Sequence, residues 1–154
     1  MWMTWATWIQ ENGMVLSALI LTFICAICDM KKKLIPVPPI AFGISLALVV
    51  WIWHILAEKA VFAEMLYAAL PGIFLLVISF VSKERIGRGD GLLLLMTGLM
   101  TGFPFCFSVL CISLLCSGVY ALFLIVLHKA GKGDSFPFAP FMLLAEGLCV
   151  IFNI

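Results

Sequence analysis

The stretch MVLSALILTFICAIC, residues 14–28, runs directly into Asp29-Met30-Lys31-Lys32-Lys33. An unbroken apolar run closed by an acid and three lysines reads as a helix crossing a bilayer, with its charged end among the headgroups. Five further apolar runs follow between charges and helix breakers: Pro39–Ala57, Val61–Val81, Gly91–Phe105, Cys106–Leu127 and Phe138–Ile154. Of the 154 residues 65% are hydrophobic and 11% charged, and the mean hydropathy is +1.24. Soluble domains carry roughly 45–50% apolar and about a quarter charged residues. At about 20 residues per crossing the length holds six helices and leaves no room for a separate soluble domain. The chain is therefore read as one all-α, six-span membrane domain over residues 1–154, and a DNA-binding module, a Rossmann enzyme and a disulfide-stapled secreted domain are excluded. A net charge of +1 implies no nucleic-acid partner.

The fourth run is the weakest. It is short, rich in glycine and closed by Gly102 and Pro104, so it must tilt, thin the bilayer or sit against protein. Ahead of the first run, Trp2, Trp5 and Trp8 recur at a spacing that places them near one face of a short helix, as an interfacial anchor. No Lys or Arg precedes that run, so no removable secretory signal is expected.

Charge placement sets the orientation. Lys31, Lys32 and Lys33 lie in the first loop, Lys83, Arg85 and Arg88 in the third, and Lys129 and Lys132 in the fifth, while Lys59 alone falls in an even-numbered loop; that puts eight of the nine basic residues on one side. The positive-inside rule makes this side cytoplasmic and places both termini outside. Asp29 then ends the first span and Asp90 opens the fourth, both at the cytoplasmic edge, where they meet if those two helices pack together. Asp134, in Gly131-Lys132-Gly133-Asp134-Ser135, reads as a loop acid or helix cap. His54 lies toward the outer end of the second span and reads as a packing or interfacial residue. All six cysteines lie in apolar runs and behave as small hydrophobes. Cys25 and Cys28 form a C-x-x-C with no partner cluster of the kind zinc requires, so neither a metal nor a cofactor is expected. Glu146, inside the sixth run, is either a satisfied packing acid or the polar lining of a cavity.

Ionisable groups at membrane depth are costly and are usually paired or functional. Two carboxyls at one depth, brought within roughly 4–6 Å, cannot both ionise cheaply and share a proton across coupled titrations. One then serves as base toward water and the other as acid, the division of labour of aspartic proteases. The segment Gly87-Arg88-Gly89-Asp90-Gly91 favours such an approach, because glycines permit sharp turns, positive φ and close contact with a neighbouring chain. Its alternative is a loop with Asp90 as a helix cap.

Three segments, taken together, resemble the prepilin peptidases, GxGD-type membrane aspartic proteases that remove leader peptides from type IV pilin-like precursors. They are Asp29-Met30-Lys31-Lys32-Lys33-Leu34-Ile35-Pro36, then Glu84-Arg85-Ile86-Gly87-Arg88-Gly89-Asp90 followed by Leu92, Leu93 and Leu94, and finally Phe136-Pro137-Phe138-Ala139-Pro140-Phe141. They cover the chain in order from about Cys28 to Ala145. The resemblance implies an endopeptidase in a bacterial or archaeal cytoplasmic membrane, with Asp29 and Asp90 catalytic, Gly87, Gly89 and Gly91 shaping the supporting loop, and a prepilin-like precursor as substrate. Two positions depart from the family: Val37 where Asn is frequent, and Leu92 where Lys is common. With nothing cytoplasmic ahead of the first span, the resemblance implies the peptidase core alone, without methyltransferase activity. A proton- or ion-coupled transporter using the same two acids is the alternative, although such sites favour the bilayer midplane. A non-enzymatic assembly scaffold is a third reading.

Overall fold

The computed structural model describes residues 5–32, 35–57, 62–81, 87–127 and 137–152. These form six helices: α1 (Trp5–Lys32), α2 (Val37–Ala57), α3 (Phe62–Val81), α4 (Arg88–Thr101), α5 (Phe103–Val126) and α6 (Ala139–Phe152). Four of them, α1, α2, α3 and α5, contain stretches long and apolar enough to cross a membrane. The chain is a multi-pass helical membrane protein. Asp134, Lys33, Lys59, Lys83, Arg85, Lys129, Lys132 and Trp2 lie outside the described residues.

The structure adjusts two boundaries. Among the described residues no separate short helix precedes the first span, because α1 is continuous from Trp5 through Gly13 to Lys32. The fourth and fifth helices part at Gly102, not after Phe105. Gly102 has φ 88°, a left-handed value that breaks the helix and that glycine adopts without strain. Pro104 then sits in the first turn of α5, where its missing N–H has no helical partner to lose. It opens the fifth helix and does not close the fourth.

Helix α4 is the centre of the bundle. It packs on α3 most extensively and also on α1, α2 and α5, while α6 lies against α1 and α5. Eight of its 14 residues are buried, and a helix apolar all round belongs in an interior. At 1.5 Å per residue it is only about 21 Å long, against a hydrocarbon core of roughly 30 Å; the shortness is accommodated because α4 sits against protein.

Lipid tails are as apolar as leucine, so transmembrane helices associate through close packing and interhelical hydrogen bonds. Both are present. A Cβ on Gly72 of α3 would collide with the Leu95 backbone, and one on Gly98 of α4 with the Ala68 carbonyl; the two backbones touch where side chains are missing. From α2, the Trp51 indole N–H donates to the Leu99 carbonyl at 2.7 Å, near the broken end of α4 where helical acceptors lose their partners. From α5, the Cys106 thiol points at the Leu94 carbonyl at 3.5 Å.

Candidate active site

Helical phase decides where Asp29 points. Ala18, Leu21, Thr22, Cys25, Ala26 and Asp29 are all buried, while Ile20, Phe23, Ile24, Ile27 and Met30 are exposed. These are two opposed stripes of one helix, one turned to the bundle and one to lipid. Asp29 continues the inward stripe and is only 5% exposed.

Its partner comes from the far end of the chain. Asp29 Oδ2 accepts the Ala139 N–H at 3.1 Å, and the Phe138 N–H acts on the same carboxylate. These amides stand at the start of α6, whose first turn closes with the Phe141 and Met142 N–H groups donating to the Phe138 carbonyl at 3.0 and 3.2 Å. Free N–H groups and the positive end of the helix dipole favour an acid at this place. Asp29 therefore caps α6 from another helix. Ala139 is fully buried, and Phe141 stacks at a tilt against Tyr120 of α5, ring centroids 5.2 Å apart. The Pro137-Phe138-Ala139-Pro140 run thus presents two backbone amides to Asp29.

Asp90 stands in the first turn of α4. The cap position is Gly87, without a side-chain capping bond, and the Asp90 N–H donates to the Gly87 carbonyl at 3.1 Å; Asp90 is not the helix cap. Each nearby glycine makes room for something different. A Cβ on Gly87 would lie 2.9 Å from Asp90 Oδ2, so the carboxyl folds back over this residue. On Gly89 it would lie 2.8 Å from the Ile35 Cβ, and on Gly91 2.9 Å from the Leu76 side chain and 3.0 Å from its backbone nitrogen. Close approach is thus the use of these glycines; among the described residues the one glycine with positive φ is Gly102.

The Gly89–Ile35 contact joins the second sequence motif to the first, and the Asp29–Ala139 bond joins the first to the third. Asp29 lies within electrostatic reach of Asp90, and α1 packs on α4. Two carboxyls at one end of the bundle, one of them fixed by backbone amides, can divide the roles of base and acid toward a bound water.

Glu146 is a buried, hydrogen-bonded residue of α6. Its Oε1 accepts the Thr22 hydroxyl of α1 at 3.0 Å and the Thr97 hydroxyl of α4 at 2.9 Å, while Oε2 has no partner among the described residues. Neither composition nor motif spacing marks Thr22 or Thr97, and the third motif contains Ala139 without showing that its N–H binds Asp29. The inward stripe of α1 carries a readable signal for Thr22; the others depend on interhelical packing. His54 lies in the last turn of α2 and is half-buried, and all six cysteines are free thiols.

The fold and this pair of acids define a helical membrane protein with a carboxyl pair at one end of its bundle. Residues 16–122 match the model of the type IV leader peptidase family, and the chain belongs to that family. The match takes in Asp29 and Asp90 and ends before the Pro137–Pro140 run. No curated protein matches the chain significantly, and neither does any solved structure.

Proposed function

We propose that this protein is an aspartic endopeptidase that removes a short basic leader from type IV pilin-like precursors at the cytoplasmic face of the membrane. The observation that carries the reading is the convergence of Asp29 and Asp90 at one end of the bundle, with Asp29 bound to the α6 amides. The peptidase family supports a hydrolytic role for the pair. The loop basic residues support its cytoplasmic placement.

In this mechanism the backbone amides and the dipole of α6 favour charge on Asp29. Asp29 withdraws a proton from water, and the water oxygen attacks the scissile carbonyl. Asp90 carries the shared proton and donates it to the carbonyl oxygen; the proton that Asp29 took from water then passes to the leaving amine, and collapse of the gem-diol returns a hydroxyl proton to Asp90. A leader left in the cytoplasm ahead of an apolar helix brings its junction to this depth. Lys31 and its neighbours gain little from a basic leader and serve orientation and contact with anionic lipid.

The test is incubation of purified protein with a reporter precursor, with the new N-terminus mapped by mass spectrometry. Cleavage between the basic leader and the apolar helix is the expected result. An intact precursor, with acid-dependent proton or ion flux in proteoliposomes instead, would replace the protease by the transporter reading.

A further inference from the structure

Glu146, Thr22 and Thr97 stand in a fixed relation to the two acids. Thr22 precedes Asp29 by seven residues on α1, Thr97 follows Asp90 by seven on α4, and Glu146 follows Ala139 by seven on α6. Seven residues fall only about 20° short of two full turns, and displace a position by about 10.5 Å along the axis. On α1 the face that offers a hydroxyl to Glu146 is therefore the face that carries Asp29, and on α4 it is the face that carries Asp90. On α6 it is the face whose first amide holds Asp29.

We infer that Glu146 is a positioning residue for the Asp29–Asp90 pair. By accepting one hydroxyl from α1 and one from α4 on a single oxygen, it fixes the rotation and the axial register of both helices about two turns from the acids. The inference rests on the peptidase reading for its catalytic consequence, but its geometric content does not.

Three observations support a device of position and not general cohesion alone. The two hydroxyl bonds, one from α1 and one from α4, converge on Oε1, so the contacts tie α1 to α4 through one atom. Glu146 is 1% exposed and both threonines are fully buried, which keeps water from substituting for either partner. Small residues line the packing of α4 on α3, and smooth contacts of that kind resist rotation less than a directional hydrogen bond does.

The experiment compares Glu146→Gln and Glu146→Leu in the full chain. Gln keeps a carbonyl oxygen that accepts both hydroxyls; Leu keeps bulk and removes the acceptor. With precursor as substrate, Glu146→Leu is expected to lower kcat about tenfold or more, since small misplacements of catalytic groups are that expensive, while KM stays within about twofold. Glu146→Gln should keep most of kcat. Thr97→Val should behave like the Leu variant and Thr97→Ser should restore activity. A second readout needs no activity: in an Asp29→Cys/Asp90→Cys chain that also carries Cys28→Ser, the rate of linkage by a short bifunctional reagent is measured with the linked peptides identified by mass spectrometry. Linkage should slow with Glu146→Leu and not with Glu146→Gln. Native kcat and native linkage in Glu146→Leu would overturn the inference, and so would a Gln variant as impaired as Leu. If the unmodified protein cleaves no precursor, the protease reading fails while the linkage rates still decide the positioning role.

Discussion

Asp29 and Ala139 are 110 positions apart in the chain, yet the carboxylate of one accepts the backbone N–H of the other at 3.1 Å. One acid of the pair is thereby anchored to the first turn of the last helix, and the start of that helix becomes part of the site. The same carboxylate lies within electrostatic reach of Asp90, and α1 packs on α4. One acid is thus held by backbone amides of α6, while the other is placed by glycines that let α4 come close.

Those glycines give the first expectation. A side chain at Gly91 must enter space held by the backbone of Leu76, and one at Gly89 space held by Ile35. Overpacking of this kind costs about 1–3 kcal/mol, and here it also displaces Asp90. Gly89→Val and Gly91→Val are expected to lose most cleavage activity, with a lower thermal midpoint in detergent. A fully active Gly91→Val protein would show that the close approach is not needed.

Trp51 gives a contrasting case. Its indole N–H satisfies the Leu99 carbonyl at the broken end of α4, the end opposite Asp90. Trp51→Phe removes one hydrogen bond, at about 1 kcal/mol, and is expected to lower thermal stability modestly while kcat stays near that of the native protein.

The pattern of six apolar elements, the bias of positive charge and the placement of both acids at corresponding helix ends were legible in residue order, because length, hydropathy and loop charge are local properties. The family resemblance rested on three short segments, which the fold brings into contact through Gly89 with Ile35 and Asp29 with Ala139. Less legible was the parting of α4 from α5. Gly102 and Pro104 both read as breakers, and only the backbone shows that one ends a helix while the other begins the next. For Glu146 residue order leaves two readings open, a satisfied packing acid or the lining of a cavity, and only the packing shows its bonds to Thr22 and Thr97.

Orientation is open to direct labelling. Single cysteines placed in the loop from Lys83 to Arg88 are expected to react with an impermeant maleimide only from the cytoplasmic side, and those placed near Lys59 only from outside. Reversed labelling would put Asp29 and Asp90 on the face a cytoplasmic leader does not reach.

In the proposed mechanism a shared proton also shapes the pH profile. Below the range in which the pair holds one proton, both acids are protonated and no base remains; above it, both are ionised and no acid remains. Cleavage is expected to fall on both sides of an optimum, and to survive a strong chelator throughout. Loss of activity with chelator and its return with added zinc would assign the attacking water to a metal.

The most direct measurement is the cleavage rate of a reporter precursor by purified native protein, Asp29→Asn and Asp90→Asn, each first matched for membrane insertion and thermal midpoint. One carboxyl cannot act as base and acid within a single cycle, so the native protein should release the leader and both Asn variants should release none. Cleavage at the native rate by either variant would contradict the assignment of the two acids as a catalytic pair.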